Sequence, residues 1–263
     1  MSKFEQCFLN NQIPKTGYQN QKLKWFSTDD SINYIKTSYN EDINYNFNSY
    51  GYRCEEFVEA EFKVLTLGCS IAFGNGIPDK SRFGSVFCQL LEKQINKKVF
   101  NYNLSWPGVS SDYVARIVTV VVPIIKPNVV LVNFPYLPRR EYFDIDGNIF
   151  QFRPNKKPNS IKESKFISNF LALSSPYQDA CNLFKNYILI DSICKQNNAV
   201  FLYSVSNSDQ PTYQKVRHLF DESKKANSID KIDFARDGGH PGIKTNENHA
   251  FNFLKAYNDL KSN

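Results

Sequence analysis

Three residues, Ser70, Asp237 and His240, have types and spacing that suit nucleophilic catalysis. Ser70 follows an apolar stretch, residues 62–67, whose composition predicts a buried strand. A serine hydroxyl becomes a nucleophile when a base lies within hydrogen-bond reach and a third group orients that base. His240 lies in a glycine-rich loop three residues after Asp237, so the carboxylate can hold one imidazole nitrogen and leave the other free. The three residues are therefore candidates for acyl transfer through a serine nucleophile.

Each candidate also has a structural explanation. Ser70 stands at the turn between a strand and a helix, where a serine often caps the helix. Asp237 is placed to cap the glycine-rich turn that contains His240. Of the other two histidines, His218 is expected on the surface of a polar helix. His249, near the start of the last helix, is expected to be solvent-facing or lightly packed. The residues taken one by one leave both interpretations open.

Composition argues against several other kinds of function. The chain has 263 residues, a net charge of +6 and a hydrophobic fraction of 41%. Its lysines occur in scattered pairs, not in a basic stripe interleaved with aromatic residues, so no nucleic-acid partner is expected. Six cysteines without CxxC spacing, three histidines and the lack of a glycine-rich phosphate loop predict no metal and no cofactor. No apolar run is long enough to span a membrane, and no signal peptide is visible, so a cytoplasmic protein is expected.

The elements that must position the candidate residues alternate between strands and helices. Strands are predicted at residues 62–67, 99–104, 129–134 and 199–205. Helices are predicted at residues 80–95, from 111 to a break or kink at Pro123, at 177–196, and from Thr245 onward. This alternation predicts a parallel sheet with helices on both faces. Open sheets of this kind bind ligands at the carboxyl ends of their strands, which is where Ser70 is expected.

The remaining segments lie outside this alternation. Residues 1–60 are predicted to form an amino-terminal arm that packs on an α/β domain of residues 61–263. Alternating residues around Asp146-Gly147 predict a β-hairpin inserted at about residues 140–160. The rest of residues 135–175 shows no regular pattern. The oligomeric state stays open.

Four blocks of the sequence together resemble the SGNH (GDSL-like) hydrolase family. Gly68-Cys69-Ser70 is similar to the family's Gly-Asp-Ser block, and residues 103–108 (Asn-Leu-Ser-Trp-Pro-Gly) are similar to its glycine block. Residues 129–133 occupy the place of the strand that leads into its asparagine block, and residues 237–240 resemble its final Asp-x-x-His block. The resemblance covers residues 60 to 260. Gly-Cys-Ser is typical of a phage and bacterial branch, so a phage- or virus-encoded protein is one expectation.

The resemblance implies a three-layer, flavodoxin-like α/β fold and a Ser–His–Asp ester hydrolase. Ser70 would attack the ester carbonyl, His240 would transfer the proton, and Asp237 would orient His240. The backbone N–H groups of Ser70 and Gly108 would bind the oxyanion, with an asparagine amide as a third donor. The implied partner is a small-molecule or glycan ester substrate.

Two features depart from the family pattern. Cys69 stands where the family usually has aspartate, and no Gly-x-Asn-Asp block follows the third strand. Asn133 is the nearest candidate for the third oxyanion donor. Arg139 and Arg140 are alternatives that suit an acidic substrate, although Arg140 pairing with Glu141 or Glu55 is an equal expectation.

Three functions therefore remain open. The first is a serine ester hydrolase, an O-deacylase acting on a carbohydrate or lipid ester. The second is a glycan O-acyltransferase, in which a sugar hydroxyl replaces water in the same acyl-enzyme chemistry. The third is a binding module that keeps the fold without turnover. The presence of Ser70, Asp237 and His240 together favours an enzyme over the binding module.

Overall fold

A four-stranded parallel sheet forms the centre of the protein. The computed structural model describes residues 12–31, 43–154, 157–158, 160–206 and 208–262. Its strands are β1 (Lys22–Leu23), β2 (Tyr45–Asn46), β3 (Phe62–Gly68), β4 (Val99–Asn103), β5 (Val129–Phe134), β6 (Arg140–Phe143), β7 (Ile149–Phe152) and β8 (Val200–Val205). Its α-helices are α1 (Ser70–Phe73), α2 (Phe83–Ile95), α3 (Ser111–Ile125), α4 (Ile161–Leu173), α5 (Pro176–Gln196), α6 (Pro211–Val216) and α7 (Ile243–Ser262). Residues 1–11 and 32–42 of the predicted arm, and residues 155, 156 and 159 of the predicted insertion, lie outside the described residues.

The order of the central strands is β4–β3–β5–β8, and all neighbouring pairs are parallel. The chain starts the sheet at β3, adds β4 on one side, and then crosses to β5 on the other side. The carboxyl ends of β3 and β5 therefore flank the point where the winding reverses, which is the usual ligand site of such sheets. The four strands predicted from the sequence are confirmed to within one residue at each end.

Helices cover both faces of this sheet. Val64 and Val129 pack on one face with residues of α2 and α7. Their neighbours Leu65 and Val130 point to the opposite face and pack with residues of α3 and α5. Alternate residues of one strand therefore fill two cores, which explains why β3 and β5 are apolar almost throughout. The predicted three-layer α/β fold is confirmed.

Pro123 does not end α3, which continues to Ile125 with the proline inside it. A proline inside a helix removes one backbone hydrogen bond. Val121, Val122 and Ile125 around it are buried in the core. Most helical stability in a folded protein comes from such packing, so the last turn of α3 persists without that bond.

The helix α4 was not predicted from the sequence. Ile161, Leu171 and Leu173 are exposed, so its apolar residues do not form one buried stripe. Its Phe166 and Phe170 rings instead pack against the hairpin β6–β7, with Phe170 centred 4.0 Å from the Phe152 ring. The hairpin and α4 thus form one aromatic unit beside the sheet.

The described part of the arm contacts the core through an aromatic cluster. Tyr18 and Phe26 from the arm pack against Phe73 of α1 and against Trp106, with ring centres 5.1 to 6.1 Å apart along the cluster. The antiparallel pair β1–β2 lies in the same segment. The arm therefore reaches the loops that follow β3 and β4.

The described residues contain neither a membrane-spanning helix nor a cluster of metal-ligand side chains. None of the described helices combines the length and apolar character that a bilayer crossing requires. Within the same residues, no three His, Cys, Asp or Glu side chains group as metal ligands would.

His249 is buried, so the predicted solvent-facing or lightly packed position was wrong. Its side chain is 1% exposed and packs edge-on against the rings of Phe83 and Phe253. Its Nε2 lies 3.1 Å from Ser204 Oγ, and within the described part of the chain its Nδ1 has no hydrogen-bond partner. Burial lowers the pKa of His249 to about 3. The imidazole is therefore neutral in the folded protein at neutral pH.

Acidification is expected to destabilise the fold through His249. The imidazole pKa is about 6.5 in an unfolded chain and about 3 in the folded protein, so the unfolded state binds more protons between these values. The free energy of unfolding should therefore fall as the pH decreases from about 6.5 towards 3. Urea unfolding at about pH 7 and about pH 5 measures this loss. The variant His249→Phe should show a smaller loss, and an equal loss in both proteins would contradict the assignment.

Candidate active site

Ser70 is the first residue of α1, two positions after the last residue of β3. Gly68, which ends β3, has a φ of +155°, and a Cβ at this position would lie 2.7 Å from the carbonyl oxygen of Asn133 and 2.8 Å from the Cβ of Ala72. Glycine is the residue that permits such a close approach. The glycine therefore lets the chain turn sharply from strand to helix and places Ser70 at the carboxyl edge of the sheet.

The structure brings Ser70, His240 and Asp237 into one hydrogen-bonded chain. The Nε2 atom of His240 lies 2.7 Å from Ser70 Oγ, and its Nδ1 lies 2.5 Å from Asp237 Oδ2. If the Nδ1 proton is donated to the carboxylate, Nε2 is left as the acceptor for the serine proton. Ser70 and His240 are half-buried, so the site is open to a substrate. This arrangement can deprotonate the hydroxyl and return the proton to a leaving group.

Asp237 is held in its ionised form. Burial alone would raise the pKa of this carboxyl group, but hydrogen bonds from the His240 ring and from the backbone N–H groups of His240 and Gly239 lower the pKa well below its usual range. Both N–H groups donate to Oδ1 at 3.0 Å, while Oδ2 faces the ring. Asp237 therefore does both things that the sequence allowed. One carboxylate oxygen caps the glycine-rich turn, and the other faces the imidazole.

The arm supplies a further contact to this carboxylate, which the sequence did not indicate. Thr28 Oγ1 donates to Asp237 Oδ2 at 2.8 Å and lies 3.5 Å from His240 Nδ1. The Asn75 side chain donates to the same hydroxyl at 3.0 Å. A threonine 209 positions before the aspartate gives no local pattern, so only the folded chain reveals its role.

A buried ion pair fixes the arm to the loop that carries Asp237. Arg236 donates through Nε to Asp29 Oδ1 at 2.9 Å and through Nη2 to Asp29 Oδ2 at 2.6 Å. The carboxylate of Asp29 is fully buried and also accepts a 2.5 Å hydrogen bond from Tyr45. The guanidinium is stacked over the Trp25 ring at 3.9 Å. Because Arg236 precedes Asp237 directly, this pair holds the orienting carboxylate in place.

The loop after β4 brings Gly108 towards the serine. The backbone N–H of Trp106 donates to the carbonyl oxygen of Gly68 at 3.2 Å, which ties this loop to the end of β3. Gly108 has a φ of +75°, and a Cβ there would lie 2.1 Å from the guanidinium carbon of Arg153. The positive φ favours glycine at this position, and the absence of a side chain leaves room for the guanidinium of Arg153 against the backbone.

Two predicted binding residues lie outside the site. Asn133 is fully buried in β5, where its amide donates to Ser204 Oγ at 2.9 Å and its carbonyl accepts from Ser206 Oγ at 3.1 Å. This amide therefore links β5 to Ser204 of β8 and to Ser206, the residue that follows β8. It is not directed at an oxyanion. Asn133 was wrongly predicted as an oxyanion donor. In the sheet it lies opposite Ser204 of β8, which gives its amide a polar partner inside the fold.

Arg140 is likewise used within the fold. It donates to Asp179 Oδ1 at 2.5 Å and to the carbonyl oxygen of Leu137 at 2.6 Å, and it is buried. The predicted pairing with Glu141 is not seen, because Glu141 accepts instead from Arg116 of α3. Both ion pairs anchor the first strand of the hairpin, so the role of Arg140 is to hold the insertion on the helices.

The protein is similar to known proteins in three-dimensional structure alone. No family model matches the chain, and no curated protein matches it. Among solved structures it is similar to TesA, with 15% identity over 76% of this chain and 98% of that chain and a TM-score of 0.48. It is also similar to the psychrotrophic esterase EstA from Pseudoalteromonas sp., with 13% identity over 77% and 100% of the two chains and a TM-score of 0.46. A third is a lipolytic protein of the G-D-S-L family from Desulfitobacterium hafniense, with 11% identity over 74% and 99% and a TM-score of 0.45.

Proposed function

We propose that the protein is a serine ester hydrolase, an O-deacylase that acts on a carbohydrate or lipid ester. One observation carries this proposal. The imidazole of His240 stands between Ser70 Oγ and Asp237 Oδ2 at 2.7 and 2.5 Å, which is hydrogen-bond contact on both sides. A serine, a base and an orienting carboxylate in series are the groups that acyl transfer needs.

The reaction follows from these contacts. Ser70 Oγ attacks the ester carbonyl carbon while its proton passes to His240 Nε2, and the imidazolium formed is stabilised by ionised Asp237. The carbonyl oxygen becomes an oxyanion, for which the backbone N–H groups of Ser70 and Gly108 are the proposed donors. His240 then protonates the leaving alcohol, and the acyl group stays on Ser70. Water, deprotonated by His240, attacks the acyl-enzyme and releases the acid and free serine.

The test uses the purified protein with a short-chain aryl ester and a fluorophosphonate probe. We expect steady release of the phenol and covalent labelling at Ser70, located by mass spectrometry of the digested protein. A protein inert to both reagents would instead be a binding module. Faster acyl transfer to an added sugar than to water would make it an O-acyltransferase.

A further inference from the structure

Arg153 lies against Gly108, one of the proposed oxyanion donors. It follows the last residue of β7 directly. Its guanidinium covers Gly108, and its Nη2 donates to the carbonyl oxygen of Pro107 at 3.3 Å. The insertion thus delivers a positive charge to the loop beside Ser70.

This guanidinium has unused hydrogen-bonding capacity. Its Nε atom is buried and has no hydrogen-bond partner among the residues that the structure describes. Elsewhere in this region the arginines are paired, Arg116 with Glu141 and Arg140 with Asp179, whereas the described residues place no carboxylate in an ion pair with Arg153. A buried N–H without an acceptor is costly, so a ligand that supplies an acceptor at this guanidinium is favoured.

A second cation stands next to it. Arg139 donates to the carbonyl oxygen of Val109 at 3.4 Å, and it is also without an ion-pair partner among the described residues. Burial lowers the pKa of Arg153, and the positive charge of Arg139 lowers that pKa further. The two guanidinium groups repel each other at this loop. An anion that lies between or against them offsets this repulsion, so the site favours anion binding.

A cavity of about 520 Å³ adjoins Arg153 on the other side, between the hairpin and α4. Tyr142, Phe150 and Phe166 contribute aromatic surface to its wall. Asp144 and Glu163 also line it and would repel an anion deeper inside. An anionic group is therefore best placed at the Arg153 end, where the guanidinium covers Gly108, with the rest of a ligand against the aromatic wall.

We infer that Arg153, assisted by Arg139, binds an anionic group, a carboxylate in the simplest case, carried by the ester that Ser70 attacks. This inference rests on the proposed hydrolase function and narrows its substrate class to acidic esters. The anion fills the unused donors of the guanidinium and sets the position of the ester carbonyl over Gly108. Arginine suits this role because its planar donors bind a carboxylate through two parallel hydrogen bonds.

The test compares pairs of esters that differ by one carboxylate. In the first pair, 4-nitrophenyl pentanoate and 4-nitrophenyl hydrogen glutarate, the charge is on the acyl group. In the second pair, an O-acetyl hexose and an O-acetyl hexuronic acid, it is on the alcohol. The wild-type protein should give a ratio of kcat/KM, anionic over neutral, of about tenfold or more in one pair. That pair identifies the part of the substrate that carries the anion.

Arg153→Gln should bring this ratio close to one. Arg217→Gln removes the same charge from an exposed arginine of the segment after α6, and should keep the wild-type ratio, which controls for general attraction of anions. A wild-type ratio near one in both pairs would overturn the inference. It would also be overturned if Arg153→Gln slowed neutral and anionic esters equally, because Arg153 would then act on the oxyanion.

A measurement without turnover separates this inference from the hydrolase proposal. Calorimetric titration of Ser70→Ala with glutarate and with a hexuronate should show binding of one of them, weakened about tenfold in Ser70→Ala/Arg153→Gln. If the wild-type protein hydrolyses no ester but this binding is found, the hydrolase proposal fails and the anion site stands. If neither anion binds in a manner that depends on Arg153, the anion site is refuted even when ester hydrolysis is observed.

Discussion

Ser70→Ala is expected to lower kcat for an aryl ester by about 10⁴-fold or more. Without the hydroxyl there is no acyl-enzyme, and only the binding and oxyanion donors remain to assist direct attack by water. The hydroxyl makes its 2.7 Å contact with His240 at the surface of the site, so its removal leaves the core intact. Initial rates at saturating ester, with a thermal melt of both proteins, measure the effect.

Ser85→Ala is the matched control, since Ser85 is a half-buried serine of α2 with its hydroxyl bonded to Asn101. Its rate should stay within about twofold of the wild-type rate, as for a substitution away from the reacting groups. Full activity in Ser70→Ala would refute the assignment of the nucleophile. Residual activity that thiol reagents abolish would identify Cys69, whose sulfur lies 4.0 Å from Ser70 Oγ, as a substitute.

Asp29→Asn is expected to destabilise the protein by about 3–5 kcal/mol and to lower kcat as well. The substitution leaves the buried guanidinium of Arg236 without a counter-charge, and breaking a buried pair from one side costs about this much. Arg236 also adjoins Asp237, so a shift of this loop moves the orienting carboxylate away from His240. Urea unfolding gives the stability, and kcat under conditions where the variant is still folded gives the second effect.

Asp191→Asn separates the two effects. Asp191 forms ion pairs with Lys195 and Lys224 at 2.6 Å, and it lies in α5, away from Ser70 and His240. Its loss should reduce stability while the kcat of the folded protein is unchanged. If Asp29→Asn had wild-type stability and wild-type kcat, the arm would have no part in positioning the site.

The sequence predicted those features that depend on local patterns. The strand β5 is recognisable because it is buried on both faces and therefore apolar throughout. The pairing of Asp237 with His240 is recognisable because one loop turn brings residues three positions apart into contact. Position at the end of β3 made Ser70 a candidate, since parallel strands share one carboxyl edge, and its match to the family's Gly-Asp-Ser block selected it.

The contact of Ser70 with His240, 170 positions later, was predicted because the family resemblance covers both residues, but other distant contacts were not predicted. Thr28 and Arg153 reach the site from the arm and the hairpin, and nothing in their own neighbourhood marks them. Asn133 appeared to be an oxyanion donor because the sequence does not tell which way a side chain at the end of β5 points. His249 was expected to be solvent-facing or lightly packed because a lone histidine carries no sign of the two phenylalanine rings that enclose it.

The arm and the last loop meet at the site although they are synthesised far apart in time. His240 follows Ser70 by 170 positions, and at roughly 5–20 residues per second a ribosome adds it about 10 to 35 s later. Throughout that interval the nascent polypeptide holds a serine without its base and an arm without its counter-ion. The hydrogen-bonded chain of Ser70, His240 and Asp237 can therefore form only after His240 has been synthesised.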